Sequence, residues 1–112
     1  MKKKAEEYFE AFNNQDIAKL EELYSDDIRL RDWLTEARGR DAVIISNRKL
    51  FKSNQELRIN VNNMYHESDV VVCEIDILLK NKEAQKRLMV VDVIEFDDDG
   101  RINEIRAYLG NV

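Results

Sequence analysis

The sequence predicts an α+β fold, in which three N-terminal helices pack on a curved antiparallel sheet and enclose a pocket. Apolar residues recur at helical spacing through roughly the first 50 of the 112 residues. Beyond that point they alternate with polar residues, as in strands that are covered on one face. A run of helices followed by a run of strands is typical of an α+β domain.

The first two helices are each predicted from one apolar face. In the first helix this face follows an i, i+3, i+4, i+7 pattern and consists of Ala5, Tyr8, Phe9 and Phe12. The polar residues 13–15 interrupt it, and Asp16 is a suitable N-cap for the second helix. The buried stripe of the second helix consists of Ile17, Leu20, Leu23 and Tyr24. We expect residues 25–27, Ser-Asp-Asp, to end this helix.

A short alternating segment separates the second helix from the third. In residues 28–33, the apolar side chains of Ile28 and Leu30 share a face with Asp32. The opposite face carries Arg29, Arg31 and Trp33. Gly39 and Asp41 then begin a third helix of about a dozen residues. The apolar side of this helix consists of Val43, Leu50 and Phe51.

Four strands are predicted after the third helix. The first has alternating apolar residues at Leu57, Ile59 and Val61, and residues 67–69 form a turn. The second runs from Val70 to Leu79, with one wholly apolar face: Val71, Cys73, Ile75, Ile77 and Leu79. After a polar turn at residues 80–83, the third strand covers residues 87–96, and Asp97–Gly100 is a hairpin signal. The last strand carries Ile102, Ile105, Ala107 and Leu109.

Asp92 stands out because it is a carboxylic acid in an otherwise apolar strand. Strand alternation places it on one face with Leu88, Val90, Ile94 and Phe96. A carboxyl group among such neighbours loses hydration, which disfavours its charged form and raises its pKa. It is therefore either a structural acid bonded to a tyrosine or to backbone, or a protonated acid that donates a hydrogen bond in catalysis.

Composition argues against several classes of protein. The net charge is −5, and Lys and Arg are dispersed among acids, which argues against a nucleic-acid partner. No apolar stretch approaches the roughly 18 residues of a membrane span. Cys73 is the single cysteine, and the N-terminus lacks the apolar core of a signal peptide, so we expect a cytoplasmic protein. The length predicts one domain over residues 1–112.

Tyr8 on the first helix, with Asp32 and Asp92 on apolar strand faces, resembles the ketosteroid isomerase branch of the NTF2-like (SnoaL-like) superfamily. The resemblance covers nearly the whole chain and includes residues 8–27, 39–42 and 91–107. It implies an NTF2-like cone and an enzyme without cofactor, which shifts a double bond in a small apolar carbonyl compound. By the same resemblance, Tyr8 and protonated Asp92 would form an oxyanion hole, and Asp32 would be the proton-transferring base. It also implies a homodimer, formed through the uncovered face of the sheet.

Two positions depart from the pattern of that family. Trp33 follows the base, where the family often has proline, and Asn47 lies where a further tyrosine would support Tyr8. A steroid is therefore not the favoured substrate. An epoxide hydrolase would need an arginine between two aspartates, but Arg29 and Arg31 point away from Asp32. The resemblance is also compatible with a cyclase or dehydratase, and with a non-catalytic module that binds a small molecule or dimerises.

Each candidate residue also has a purely structural interpretation. Tyr8 could be a core aromatic with a hydrated hydroxyl, and Asp32 could pair with Arg31 or Arg38. We expect Glu74 and Asp76 on the outer face of their strand, away from the pocket.

No metal site is expected from the remaining candidates. His66 is predicted to be a surface residue, because no cysteine or second histidine completes a zinc site. Cys73 is predicted to be a packed thiol. Residues 95–100 are predicted as a hairpin and not a calcium loop, since Arg106 occupies the position where a bidentate Glu is needed.

Overall fold

The computed structural model describes residues 1–110 and confirms the predicted α+β fold. Three helices pack on a curved six-stranded sheet. The helices are α1 (Lys2–Asn13), α2 (Ile17–Leu23) and α3 (Arg40–Ser53). The strands are β1 (Tyr24–Arg31), β2 (Glu36–Arg38), β3 (Glu56–Glu67), β4 (Val70–Lys80), β5 (Gln85–Phe96) and β6 (Ile102–Leu109). None of the helices in residues 1–110 has the length and apolar character that crossing a membrane requires.

The sheet is mixed and open, with strand order β2-β1-β6-β5-β4-β3. Every neighbouring pair is antiparallel except β1 and β6, which are parallel. The four later strands follow one another through turns, which join antiparallel neighbours. By contrast, the chain leaves β1 through β2 and α3 and re-enters the sheet at β3, the opposite edge. No hairpin therefore constrains the direction of β1 relative to β6.

The second helix is shorter than its apolar stripe predicts, because Tyr24 begins β1. Tyr24 pairs with Ile102 of β6, and the register of this pair of strands shifts before Arg29. This irregularity lets the Ser-Asp-Asp segment belong to a strand, with Ser25 bonded to Asn103 at 3.0 Å. Strand β2 has three residues, too few for an alternating pattern in the sequence.

The core lies between the helices and the inner face of the sheet, which we define as the face that carries Cys73 and Asp92. Strands β4 and β5 bury alternate residues on this face, as the sequence predicts. The largest fully buried side chains are Tyr24, Leu20, Ile28, Ile75, Ile94, Ile102, Ile105, Val43, Val71 and Cys73.

Two turns have the backbone conformation and hydrogen bonds expected from their residue types. Gly39 has a φ of +88° at the start of α3, a conformation that side chains disfavour. The predicted hairpin is confirmed: the Asp97 amide donates to the Arg101 carbonyl at 2.8 Å, and Gly100 has a φ of +78°. The Asp97 carboxylate also accepts from the amides of Asp99 and Arg101, so it closes a turn.

Asn13 ties the end of α1 to the edge strand β3. Its Nδ2 donates to the Ile59 carbonyl at 2.9 Å, and its Oδ1 accepts from the Ile59 amide at 2.7 Å. The side chain thus satisfies both backbone groups of one edge residue. In the sequence Asn13 indicates only the end of a helix.

Candidate functional site

Asp92 lies on β5, opposite Cys73 of β4 and Ala107 of β6. It is 6% exposed. Within residues 1–110 its carboxyl group has no hydrogen-bond or ion-pair partner, so the interpretation of Asp92 as a bonded structural acid finds no support there. Burial, and secondly the charge of Asp32, raises the pKa of Asp92 to about 7.

The carboxyl oxygens of Asp92 are not sealed inside the protein. In the described part of the chain, Asp76 Oδ1 is the one enclosed side-chain oxygen or nitrogen without a hydrogen-bond partner. Because the Asp92 oxygens also have no partner and yet are not enclosed, they must border accessible space. Asp92 therefore combines deep burial with carboxyl oxygens that still border accessible space.

Tyr8 lies on the buried face of α1 and reaches the same region. Its ring packs at centroid distances of 5.1, 5.7 and 6.3 Å from Phe9, Phe12 and Tyr24. Burial raises the pKa of its hydroxyl well above the ordinary value, and Tyr24, Asp92, Cys73 and Asp32 add smaller contributions in that order. The structure thus places the Tyr8 ring on the buried face of α1, against Tyr24.

Tyr24 and Asn47 extend this polar cluster. The Tyr24 hydroxyl donates to Asn47 Oδ1 at 2.6 Å in the interior. Burial raises the pKa of Tyr24, and the neighbouring Tyr8 hydroxyl acts in the opposite direction. In the sequence Asn47 stands out only as a departure from a family pattern. The available signal was its position on the buried face of α3 beside Val43 and Ile44.

Asp32 directly follows β1 and is half-buried. Its Oδ1 accepts from the amides of Leu34 and Thr35, both at 2.7 Å, and so closes the turn into β2. Its Oδ2 has no partner among residues 1–110, and neither Arg31 nor Arg38 pairs with it there. One carboxylate oxygen thus has a structural role, while the other is available for chemistry.

Two cavities on the surface of the structure lie away from this cluster. One, of about 450 Å³, is lined by Tyr65, His66, Glu67, Ser68, Val70 and Val72. The other, of about 400 Å³, lies where the C-terminal end of α3 faces the turn between β4 and β5. Neither is lined by Tyr8, Asp32 or Asp92. The expected pocket between helices and sheet is therefore neither of these two cavities.

The other polar candidates lie where the sequence predicts. Glu74 and Asp76 are on the outer face, opposite Cys73, and Asp76 accepts from Arg87 at 2.7 Å. His66 is exposed, with Nε2 2.8 Å from the Ser68 carbonyl. Burial raises the pKa of the Cys73 thiol to about 12, so it stays protonated. Residues 1–110 contain no cluster of three or more His, Cys, Asp or Glu side chains that could hold a metal ion.

The arginines form their ion pairs with acids other than Asp32 and Asp92. Within residues 1–110, the arginine ion pairs are Arg29–Glu104, Arg40–Asp26, Arg87–Asp76, Arg106–Glu95 and Arg106–Glu104. None of them involves Asp32 or Asp92. The aspartate–arginine–aspartate arrangement that epoxide hydrolysis would need is therefore not formed by these two acids.

Comparisons with known proteins agree with this architecture. A family model described as a SnoaL-like domain matches residues 5–105. An M. tuberculosis LEH-like epoxide hydrolase superimposes with a TM-score of 0.86 at 20% identity, over 96% of this chain and 80% of that chain. A candidate SnoaL-like polyketide cyclase from Shewanella denitrificans OS-217 gives a TM-score of 0.87 at 19% identity, over 97% and 89% of the two chains.

A candidate ketosteroid isomerase from Kribbella flavida DSM 17836 has a TM-score of 0.83 at 16% identity, covering 97% of this chain and 76% of that chain. No curated protein matches the sequence significantly. At such low identities the structural matches establish the NTF2-like fold. The neighbours within this fold include proteins named as epoxide hydrolase, cyclase and isomerase.

Proposed function

The chain belongs to the SnoaL-like domain family, and from this membership we propose that it is a cofactor-independent, ketosteroid isomerase-like enzyme. Its substrate is a small apolar carbonyl compound, in which it shifts a double bond by proton transfer. The observation that carries this proposal is Asp92, an acid that is 6% exposed, has no hydrogen-bond partner within residues 1–110 and has a pKa raised to about 7 by burial and by Asp32.

The reaction needs one base and two hydrogen-bond donors. Asp32 removes a proton from the carbon beside the carbonyl, and the electron pair moves onto the carbonyl oxygen as an enolate. Tyr8 and protonated Asp92 donate to this oxygen, which carries its full charge only after proton removal. Asp32 then returns the proton to the far carbon of the conjugated system. Neither water nor an oxidant is consumed.

The two aspartates have environments suited to different protonation states. Asp92 has lost its hydration and has no bonded partner, which favours the neutral acid that can donate. Asp32 is half-exposed, and only its Oδ1 accepts from backbone amides, so its Oδ2 is available to take up a proton from the substrate. This division of roles supports Asp32 as the base and Asp92 as the donor.

A small β,γ-unsaturated ketone, such as cyclohex-3-enone, tests the proposal directly. Conversion to the conjugated ketone is followed by its ultraviolet absorbance, and uptake of deuterium from D₂O by mass spectrometry. We expect both with the wild-type protein, and neither above background with Asp32→Asn. Absence of both signals with the wild-type protein, in assays with several such ketones, would refute the isomerase.

A non-catalytic ligand-binding module is the second candidate. It is favoured by one observation: neither of the two cavities described above is lined by Tyr8 or Asp92. Binding of a phenol, which mimics an enolate, separates the two possibilities. Binding that is lost in Tyr8→Phe and in Asp92→Ala supports the oxyanion hole, whereas equal binding by both variants supports the module.

We also propose that the protein forms a homodimer through the outer face of the sheet, defined as the face that carries Glu74 and Asp76. On this face Tyr65 is 56% and Tyr108 49% exposed, and Val91 is half-buried between Glu74 and Tyr108. It also carries both signs of charge, which suits a surface that pairs with its own copy.

A further inference from the structure

Asn47 is a polar residue on the buried face of α3. Its buried helical neighbours Val43 and Ile44 are apolar, and Asn47 itself is 5% exposed. A carboxamide has one oxygen acceptor and two N–H donors, and burial is costly for any of these groups that stays unpaired. The hydrogen-bond partners of the Asn47 oxygen and nitrogen therefore indicate what this buried side chain does.

Only the oxygen of this carboxamide is bonded within residues 1–110. It accepts the Tyr24 hydroxyl at 2.6 Å. Nδ2 donates to no group there. It is not sealed either, because the one enclosed and unpartnered side-chain polar atom of this part of the chain is Asp76 Oδ1. The Asn47 amide nitrogen therefore borders accessible space at a buried position.

The bond to Tyr24 fixes the direction of these donors. A carboxamide is planar and carries its oxygen and nitrogen on one carbon, so holding Oδ1 also holds Nδ2. Tyr24 in turn lies against Tyr8, with ring centroids 6.3 Å apart. The Tyr24 side chain thus connects the Asn47 carboxamide with the neighbourhood of Tyr8.

We infer that Asn47 is a ligand-binding residue, whose Nδ2 donates to a second oxygen of the ligand. The inference rests on the proposed function, because it takes Tyr8 and Asp92 as the site of the first carbonyl oxygen. The ligand class is then an uncharged small carbonyl compound with another acceptor oxygen, such as a diketone or a hydroxyketone. A carboxylate ligand is disfavoured by the like charge of Asp32.

Two phenols of nearly equal shape test this inference. Both 4-ethylphenol and 4-acetylphenol mimic an enolate through the phenol oxygen, and 4-acetylphenol adds a carbonyl acceptor at the other end. Dissociation constants are measured by calorimetry at pH 6, where Asp92 is mainly protonated. We expect the wild-type protein to prefer 4-acetylphenol, and this preference to fall about three- to tenfold in Asn47→Leu, as for the loss of one hydrogen bond. Comparing the same two phenols in each protein cancels their difference in acidity.

Matched variants distinguish the loss of a ligand contact from a loss of folding. Asn47→Leu alone leaves the buried Tyr24 hydroxyl without its acceptor, whereas the double variant Tyr24→Phe/Asn47→Leu removes both partners, which is a milder change. The double variant should show the same loss of preference. Asn63→Leu, at an exposed position of β3, should keep the wild-type preference.

The outcomes separate this inference from the proposed function. An unchanged preference in both Asn47 variants, or no preference in the wild-type protein, overturns the role of Asn47. The proposed function still stands in that case if 4-ethylphenol binding is lost in Asp92→Ala. If 4-ethylphenol does not bind, or binds equally to Asp92→Ala, the oxyanion hole fails and the inference fails with it.

Discussion

Two buried acids on neighbouring strands, Asp76 and Asp92, show how the face of a sheet determines the chemistry of a residue. Asp76 lies on the outer face, and its hydrogen bond from Arg87 holds the pKa of that carboxyl below its ordinary value. Asp92 lies on the inner face, where burial raises its pKa to about 7 with a further contribution from Asp32. The first acid is a stable carboxylate, and the second can change its protonation near neutral pH.

Asp92→Asn should remove a pH dependence from the stability of the fold. The folded pKa of about 7 lies above the ordinary 3.8, so the stabilising contribution of the neutral acid is complete below about pH 4 and is lost as the pH rises through 7. The gap corresponds to at most about 4 kcal/mol. Urea unfolding from pH 4 to 8 should show this decline in the wild-type protein but not in Asp92→Asn. The control variant Asp98→Asn, at an exposed position, should show the same decline as the wild-type protein. If Asp92→Asn also shows this decline in stability, the raised pKa of Asp92 is contradicted.

The rate of isomerisation should fall above about pH 7. Protonated Asp92 is a donor to the enolate, and it loses its proton with a pKa of about 7, which burial and Asp32 raise. The carboxamide of Asp92→Asn can donate at every pH, so this variant should be slower at pH 6 but lack the decline. Both pH profiles are obtained by determining kcat/KM from initial rates between pH 6 and pH 9. A decline of the same midpoint in Asp92→Asn would show that another group is responsible.

Asp32→Asn should separate catalysis from folding. The variant keeps an Oδ1 acceptor for the amides of Leu34 and Thr35 but has no basic oxygen, so turnover should fall by about 10²- to 10⁴-fold. Its free energy of unfolding should stay within about 1 kcal/mol of wild type, whereas Asp32→Ala, which frees both amides, should lose about 1–2 kcal/mol. Full turnover by Asp32→Asn would exclude Asp32 as the base.

At the scale of elements, the end of α1 and the edge of the sheet depend on each other. The helix ends at Asn13, and the side chain of this residue satisfies the Ile59 amide and carbonyl on β3. An edge strand otherwise presents such groups to solvent or to another chain. The contact holds α1, and with it Tyr8, at a fixed position over the inner face.

Asn13→Ala should destabilise the fold by about 1–3 kcal/mol, because it removes two hydrogen bonds and leaves a half-buried backbone amide without its acceptor. Denaturant unfolding measures the loss, and hydrogen exchange should show faster exchange of the Ile59 amide. Asn14→Ala, at the neighbouring exposed position, is the matched control and should change stability by less than about 0.5 kcal/mol. Unchanged exchange at Ile59 in Asn13→Ala would argue against the contact.

For the whole molecule, the open sheet leaves one face without helices. The inner face is covered by α1, α2 and α3, whereas the outer face carries exposed aromatic side chains at Tyr65 and Tyr108. A second copy of the chain would cover these aromatic side chains.

Val91→Lys should weaken the proposed dimer at least about tenfold, since it places a charge at the centre of the outer face beside Tyr108. Sedimentation velocity over a range of concentrations measures the association. Leu34→Lys makes a similar change in the exposed turn between β1 and β2 and should leave the association unchanged. A wild-type protein that stays monomeric at all concentrations would end the proposal.

Sequence periodicity predicted most of the fold and the burial of two candidate site residues, Tyr8 and Asp92. The stripe around Tyr8 in α1 and the alternation around Asp92 in β5 are local patterns, because helical and extended backbones repeat every 3.6 and 2 residues. They are sufficient to bury both side chains toward the same core. The same local reasoning placed Glu74 and Asp76 on the opposite face.

Other features depended on contacts between distant parts of the chain. The parallel pairing of β1 with β6 begins at Tyr24, which local pattern assigned to a helix. The partners of Tyr24 and Asn13 lie 23 and 46 residues away, at Asn47 and Ile59.

By itself, the sequence determined the apolar faces of the main helices and strands and that Asp92 loses its hydration, since both follow from local repeats and residue chemistry. Only the tertiary structure decided which polar groups meet. In the described residues Asp92 has no hydrogen-bond partner, and Asp32 accepts from two backbone amides of a turn. The oxygen of Asn47 accepts from Tyr24, while its amide nitrogen borders accessible space. Hydrogen bonds act over about 3 Å, so their formation depends on the packing of whole elements and not on spacing along the chain.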